Sequence, residues 1–267
     1  MPNVSLTPPL RLEYEQLFNS CVIRPERAAE VTRIINQIAA NRPKYDAVET
    51  SLGIPWSFTA VIHNMESSLS FKGHLHNGDP LGARTVNVPA NRPHTGNPPF
   101  SWEVSAADAL TMKKLSAQTD WSLAGTLYQI ERYNGWGYRS FHANVLSPYL
   151  WSFSNHYSSG KYVADGTWSE TARSAQCGAA VLLRRLAELQ VVEFADQPVS
   201  AVSEPLVVPY SMKKSRDAAV VAQAEALQRW LNTFPGIFTK IDGVPGKGTS
   251  DAFHAVTGRF LPGDPRE

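Results

Sequence analysis

Between Gly53 and Pro89 the chain reads GIPWSFTAVIHNMESSLSFKGHLHNGDPLGARTVNVP, and its first half admits little besides a helix. Pro55 suits the first helical position. Phe58, Ile62, Met65 and Leu69 then recur at intervals of three and four, which puts them on one apolar face. Glu66 falls in the last turn of this predicted helix. A carboxylate there lies near the negative end of the helix dipole and beside apolar neighbours, and both effects disfavour its ionised form. A glutamate tuned in this way is a candidate general acid. Further on, Asn77 and Gly78 are turn formers while Thr85, Val86 and Val88 favour a strand. HLHNGDPL followed by ARTVNVP therefore reads as a β-hairpin able to carry Asp79 and Thr85 back across a cleft towards Glu66.

Around this stretch the apolar spacing is mostly helical. After a Pro-containing lead-in with a short amphipathic segment at Leu12–Phe18, a helix is predicted over about 25–41, with Val31, Ile34, Ile35 and Ile38 inward and packed beneath the Glu66 helix. A second runs from Tyr45 to Leu52 and is ended by Gly53. PANRPHTGNPPFS, from Pro89, is too rich in Pro, Gly and Asn for regular structure and reads as a surface loop. Ser105 can cap a helix through Leu115, and Asp120 can cap the next, in which Leu123, Leu127 and Ile130 form a stripe ending at Asn134 and Gly135. A further helix is predicted from Thr171 to Gln190.

Asn134–Tyr162 is different in kind, with aromatic rings interleaved with Asn, Ser, Arg and Gly. Aromatic faces stack on sugar rings while amides and guanidinium groups bond their hydroxyls, so the mixture suits a saccharide groove. About half of the rings are assigned to the core by default. Tyr133, Trp136, Tyr138, Arg139, Asn155 and Tyr157 are the groove candidates, with His63 on the Glu66 helix. Glu131 and Asp165 are secondary carboxylate candidates, and structural roles suit both.

From Val191 to Arg216 the periodicity is lost and Pro and Ser increase, as in a linker, with one strand expected at Pro205–Pro209. The last fifty residues read as a separate unit: a helix over AEALQRWLN with Leu227, Trp230 and Leu231 inward, a tight turn at Asp242 and Gly243, and a closing helix that Thr249 can cap.

Composition narrows the function. The chain has 267 residues, an ordinary 43% apolar content and a net charge of +1, which gives no reason to expect nucleic acid or an anionic membrane surface. No run approaches the roughly 20 apolar residues of a membrane span. The N-terminus lacks the basic start and apolar core of a secretory signal. Cys21 and Cys177 have no metal-type spacing; they could form one disulfide, though buried thiols suit a protein made in the cytoplasm better. His63, His74 and His76 invite a zinc reading, but no HExxH arrangement exists. No G-x-S-x-G is present and neither cysteine sits in a nucleophile setting.

A glutamate at a helix end, an aspartate on the next hairpin and a threonine six residues after it resemble the catalytic trio of phage-type lysozymes, the endolysins that cut peptidoglycan. Here the trio is Glu66, Asp79 and Thr85, with a longer Glu-to-Asp interval than in the best-known members. Glu66-Ser67-Ser68 and Asn134–Arg139 (NGWGYR) are also similar to goose-type lysozymes and lytic transglycosylases. In the last fifty residues Leu227, Gln228, Leu231, Asn232, Asp242, Gly243, Gly246 and Thr249 resemble a peptidoglycan-binding domain.

What these resemblances imply is a mainly α, α+β lysozyme-like fold. A helical catalytic domain over 1–195 would carry a small β-hairpin beside the cleft, and a linker at 196–216 would lead to a small helical peptidoglycan-binding-like domain at 217–267. The implied activity is that of a muramidase cutting the bond between N-acetylmuramic acid and N-acetylglucosamine. Glu66 would be the acid, and Asp79 and Thr85 would hold the water, as in an inverting glycosidase. If Asp79 is only a turn residue, Glu66 alone can serve a lytic transglycosylase. A non-catalytic wall-binding protein and a chitinase are the other classes. Peptidoglycan glycan strands are the expected partner of a monomer that needs no cofactor or metal. Such a protein, without a signal peptide, would reach the periplasm through a holin lesion or a secretion system.

Overall fold

Helices form wherever the apolar periodicity is strong, and the departures fall where side chains compete for the backbone. The structure, a computed structural model, describes residues 4–164, 166–189, 191–194, 207–234, 236–237 and 239–267. Asp165, Gln190, Pro205 and Leu206 lie outside them, as does most of the expected linker. The chain divides into two compact units, Met1–Leu186 with Val192–Asp196 and Ala187–Val191 with Gln197–Glu267. The fold is mainly helical, with one small two-stranded antiparallel sheet.

In the first unit α1 (Pro8–Asn19) buries Leu10, Tyr14 and Phe18, residues four apart, against α6 (Leu123–Asn134). A 3-10 turn (Pro25–Arg27) leads into α2 (Ala28–Ala40), whose buried face is Val31, Ile34, Ile35 and Ile38 as the spacing predicts. Next come α3 (Arg42–Leu52) and α4 (Trp56–Ser67). All residues of α4 from Trp56 to Asn64 are buried, so this helix is enclosed rather than amphipathic. The helix lying along it is α3, not α2; α3 also packs on α5 (Trp102–Met112). The connection through Gly53–Pro55 is short, and consecutive elements joined so closely stay neighbours. Ile62 is fully buried, and truncating it to alanine would cost about 2–5 kcal/mol.

Several expectations are corrected. α4 stops at Ser67 because Ser68 and Leu69 adopt left-handed φ of 50° and 61°; Leu69 is buried beyond this reversal rather than on a helical face. The stretch after Gly73 is not a hairpin: Gly73 and Pro80 form one antiparallel bridge, and the rest is irregular. The sheet lies elsewhere, between β1 (Lys161–Ala164) and β2 (Thr167–Ser169), with Tyr162 opposite Trp168. α5 is capped by Ser101 rather than Ser105, and α6 by Ser122 rather than Asp120, whose Oδ1 accepts from the Ser122 amide. Short α7 (Gly137–Phe141) and α8 (Pro148–Trp151) interrupt the aromatic stretch. α9 (Ala179–Glu188) begins well after Thr171. Just before it the Gly178 amide bonds the Ser152 carbonyl, and a Cβ on Gly178 would lie 2.2 Å from the Leu150 oxygen. The chain crosses the end of α8 too closely for any side chain there.

The second unit pairs α10 (Ala218–Leu231) with α11 (Lys247–Thr257) over Val208, Ala224, Leu227, Leu231, Ala252, Phe253 and Leu261. Gln228 is its buried hub. Its amide nitrogen donates to Asp242 Oδ1 and to the Val244 carbonyl, both at 3.0 Å, and to Thr249 Oγ1 at 3.2 Å; its oxygen accepts the amides of Asp242 and Gly243. Thr249 is therefore a partner of Gln228, and the cap position of α11 belongs to Gly246. Val207–Pro209 form no strand. Among the described residues no helix is long and apolar enough to cross a membrane.

Candidate active site

Glu66 sits in the last turn of α4, half-buried. The Tyr149 hydroxyl on α8 donates to its Oε1 at 2.7 Å. Burial raises the Glu66 pKa, against the opposing pull of the Tyr149 hydrogen bond and of the Lys113 charge. Lys113 in turn lies over the Tyr133 ring, 4.5 Å from its centroid, and donates to the Tyr133 carbonyl. Burial, and secondly the Glu66 charge, push the Tyr133 hydroxyl up. The backbone behind Glu66 is fixed by Gln176, whose side-chain amide donates to the Asn64 and Met65 carbonyls at 2.9 and 2.8 Å. The Asn64 carbonyl also accepts the Ser68 amide, whereas the Met65 carbonyl is one of the orphan acceptors of a helix end, and Gln176 satisfies it without adding a charge. The left-handed pair Ser68 and Leu69 then turns the chain away; two non-glycine residues in that region are a strain that surrounding structure must hold.

The 73–92 loop closes on this helix end. Gly78, at φ +81°, lies against it: a Cβ there would be 3.7 Å from the Glu66 carbonyl oxygen. Asp79 organises the loop. Its Oδ2 accepts the amides of Val86 and Asn87 at 2.8 and 2.9 Å and the Asn77 side chain at 3.2 Å, while Oδ1 accepts the Asn87 side chain at 2.6 Å. These bonds, led by the Asn87 amide, hold its pKa below the ordinary carboxylate value. Thr85 donates its hydroxyl to the Pro89 carbonyl at 2.6 Å and accepts the Arg92 amide at 2.9 Å. The expected hairpin gives way because these side chains take the backbone groups that a ladder would need. Two histidines fasten the loop to α5: His74 Nδ1 to Ser105 Oγ at 2.8 Å, and His76 Nε2 to Asp108 Oδ2 at 2.7 Å. Asp108 also pairs with Arg92 at 3.0 Å. Among the described residues no three His, Cys, Asp or Glu side chains converge as a metal site would require. Cys21 and Cys177 are buried and are not joined in a disulfide.

Of the groove candidates, Tyr133 lies close enough to Glu66 to feel its charge, and the others are engaged elsewhere. His63 is fully buried among Tyr45, Phe71 and Trp102, with Nδ1 3.0 Å from the Tyr45 hydroxyl; burial pushes it down to about 4, so it is a neutral core residue. Trp136 is buried against Tyr128, and Tyr138 against Tyr162 and Trp168. Asn155 ties the Val22 amide to the Ser20 carbonyl. Tyr157 is buried, donating to the Gly160 carbonyl and accepting the Ser174 amide. Arg139 bridges Glu131 and Glu13, each at 2.9 Å.

Glu131 forms a second carboxyl centre on the far side of α6. It is two residues from Tyr133, which is about 200° around a helix. Its Oε2 accepts the Tyr14 hydroxyl at 2.5 Å and Arg139 Nε at 2.9 Å. A cavity of about 370 Å³ opens here, lined among others by Glu131, Arg139, Tyr138, Ser147 and Trp151; Glu66 does not line it.

Sequence reasoning missed Tyr149, Lys113 and Gln176. Tyr149 lay inside the aromatic stretch, but nothing local distinguishes it from its neighbours, because its contact with Glu66 spans 83 residues. Comparison with protein-family models, with curated proteins and with solved structures finds no match to this chain.

Proposed function

We propose that the first unit cleaves the β-1,4 glycosidic bond between N-acetylmuramic acid and N-acetylglucosamine in peptidoglycan, with Glu66 as general acid, and that the second unit holds the wall. The observation that carries this is the setting of Glu66: a half-buried carboxyl with a raised pKa, held by a tyrosine hydroxyl, at a strained helix end against which a loop is closed. The raised pKa favours the protonated form, which can give its proton to the leaving oxygen as the bond breaks. Tyr149 then stabilises the carboxylate left behind, and Lys113 supplies a cation nearby without locking it in an ion pair.

In the hydrolytic form of this reading the 73–92 loop stands on the opposite face of the sugar and Asp79 and Thr85 guide a water. A second form is favoured by the Asp79 contacts: both oxygens already accept donors from the loop itself. Glu66 alone would then take up the proton of the muramic acid's own hydroxyl as that hydroxyl attacks, giving an anhydro sugar, as in a lytic transglycosylase. Digestion of purified peptidoglycan separates the two. Mass spectrometry of the products gives a reducing end for hydrolysis and a loss of water for transglycosylation. No cleavage by the wild type across pH 4–9, or full cleavage by Glu66→Gln, overturns the proposal in both forms.

A further inference from the structure

A pocket of about 300 Å³ opens beside the 3-10 turn and the end of α8, and it is lined by Arg24, Arg27 and Arg173. Arg24 donates Nε to the Ser154 carbonyl at 3.0 Å and one terminal nitrogen to the Tyr157 carbonyl, so its partners are neutral. Arg27 pairs with Glu30 at 3.0 Å and lies over the Phe153 ring. Arg173 is exposed and makes no hydrogen bond or ion pair among the described residues. Against these three guanidinium groups the lining contains one carboxylate, Glu26, leaving the pocket net positive. Its floor includes Phe153, whose backbone is held at φ +78° while its carbonyl accepts the Arg24 amide at 2.9 Å. Strain of this kind in a non-glycine residue marks a position that the surrounding structure has been built to hold.

The pocket is tied to the Glu66 site by two short runs of chain. Ser174 on its wall is two residues from Gln176, which grips the carbonyls beside Glu66; Ser152, also on its wall, is three residues from Tyr149. At no more than about 3.6 Å per residue these runs span at most roughly 7 and 11 Å. Backbone separations this short are within the reach of a substituent on a glycan lying across Glu66. Guanidinium groups recognise carboxylates through paired, charge-assisted hydrogen bonds.

Resting on the reading of Glu66 above, we infer that this pocket holds a carboxylate carried by the muramic acid substituent, its lactyl group or attached peptide, and so selects peptidoglycan over uncharged chitin. The test uses the full chain in a Glu66→Gln background and fluorescent soluble wall fragments, either native or with their carboxylates converted to amides. Fluorescence anisotropy at fixed salt is expected to give at least tenfold weaker binding of native fragments when Arg173→Glu is added. Amidation should weaken binding to the parent by a similar factor, and the two losses should not multiply. Arg27→Gln is the second variant, used if Arg173→Glu lowers the melting temperature. Equal affinity for native and amidated fragments, or no loss with either arginine variant, overturns the inference. Wall cleavage by wild type and Glu66→Gln, run alongside, decides the catalytic reading separately: if the wild type cuts nothing that reading falls, while the two affinity ratios still decide the pocket.

Discussion

Glu66 and Glu131 are two glutamates on neighbouring helices, each removed from water and each accepting a hydrogen bond from a tyrosine hydroxyl. They differ in what stands beside that bond. Arg139 Nε lies 2.9 Å from Glu131, with Glu13 completing the chain of charges, so the buried acid is part of a compensated network. Among the described residues Glu66 makes no ion pair; Lys113 acts on it at longer range while donating to a carbonyl. Burial raises both pKa values, but only Glu66 can gain and lose a proton without dismantling an ion pair. The contrast separates a carboxyl available for proton transfer from one that holds α1, α6 and α7 together, even though the cavity of about 370 Å³ lies beside the second.

The most severe test of that contrast is to replace each acid in turn. Glu66→Gln keeps the shape and an acceptor for Tyr149 but has no proton to give, so turnover on purified wall should fall about 10²–10⁴-fold, the range expected of a general acid. Glu131→Ala should instead leave turnover per folded molecule within a few-fold and lower unfolding free energy by about 3 kcal/mol in urea titration. That is the low end for breaking a buried pair, because Arg139 retains Glu13. If Glu131→Ala abolished turnover at unchanged stability, the roles of the two acids would be reversed.

Much of this was legible in the chain and some could not be. The helical spacing of Val31, Ile34, Ile35 and Ile38 and the position of Glu66 in a last turn are local properties, read correctly because one helix face suffices to show them. The Gln228 network makes the motif at 227–249 legible for the same reason, since its partners lie within about twenty residues. The 73–92 loop was misread because strand propensity at Thr85, Val86 and Val88 was outweighed by side-chain contacts: Asp79 takes the amides of Val86 and Asn87, and His74 and His76 dock on α5. In the aromatic stretch the split between core and groove is not legible locally, because Trp136, Tyr138 and Tyr157 pair with Tyr128, Trp168 and the Ala172 carbonyl, all outside that stretch.

A smaller effect follows from the sign of the Glu66 shift. An acid whose pKa is higher folded than unfolded contributes stability that is fully present below the unfolded value and is lost as pH rises through the folded one. Above that window the wild type holds an ionised glutamate in a poorly solvated place, so Glu66→Gln should be more stable near pH 8, by about 1 kcal/mol, the size usual for relieving a functional site. The gain should vanish towards pH 4. Melting curves at the two pH values check it, and a variant destabilised at pH 8 would mean that the ionised carboxyl is well compensated, as at Glu131.

The finest distinction lies in the two tyrosines. The Tyr149 hydroxyl donates to Glu66 and so favours its ionised form; in Tyr149→Phe that bond is gone, the Glu66 pKa rises further, and the acid stays protonated to higher pH. The alkaline limb of the pH profile for kcat/KM should move to higher pH, while activity at the optimum falls because the carboxylate formed after proton transfer has lost its donor. Tyr14→Phe removes the equivalent bond from Glu131 but should lower the melting temperature and leave the limb where it was, since no proton moves at that site during turnover. A limb that shifts with Tyr14→Phe and stays fixed with Tyr149→Phe would assign the titrating acid to the far side of α6.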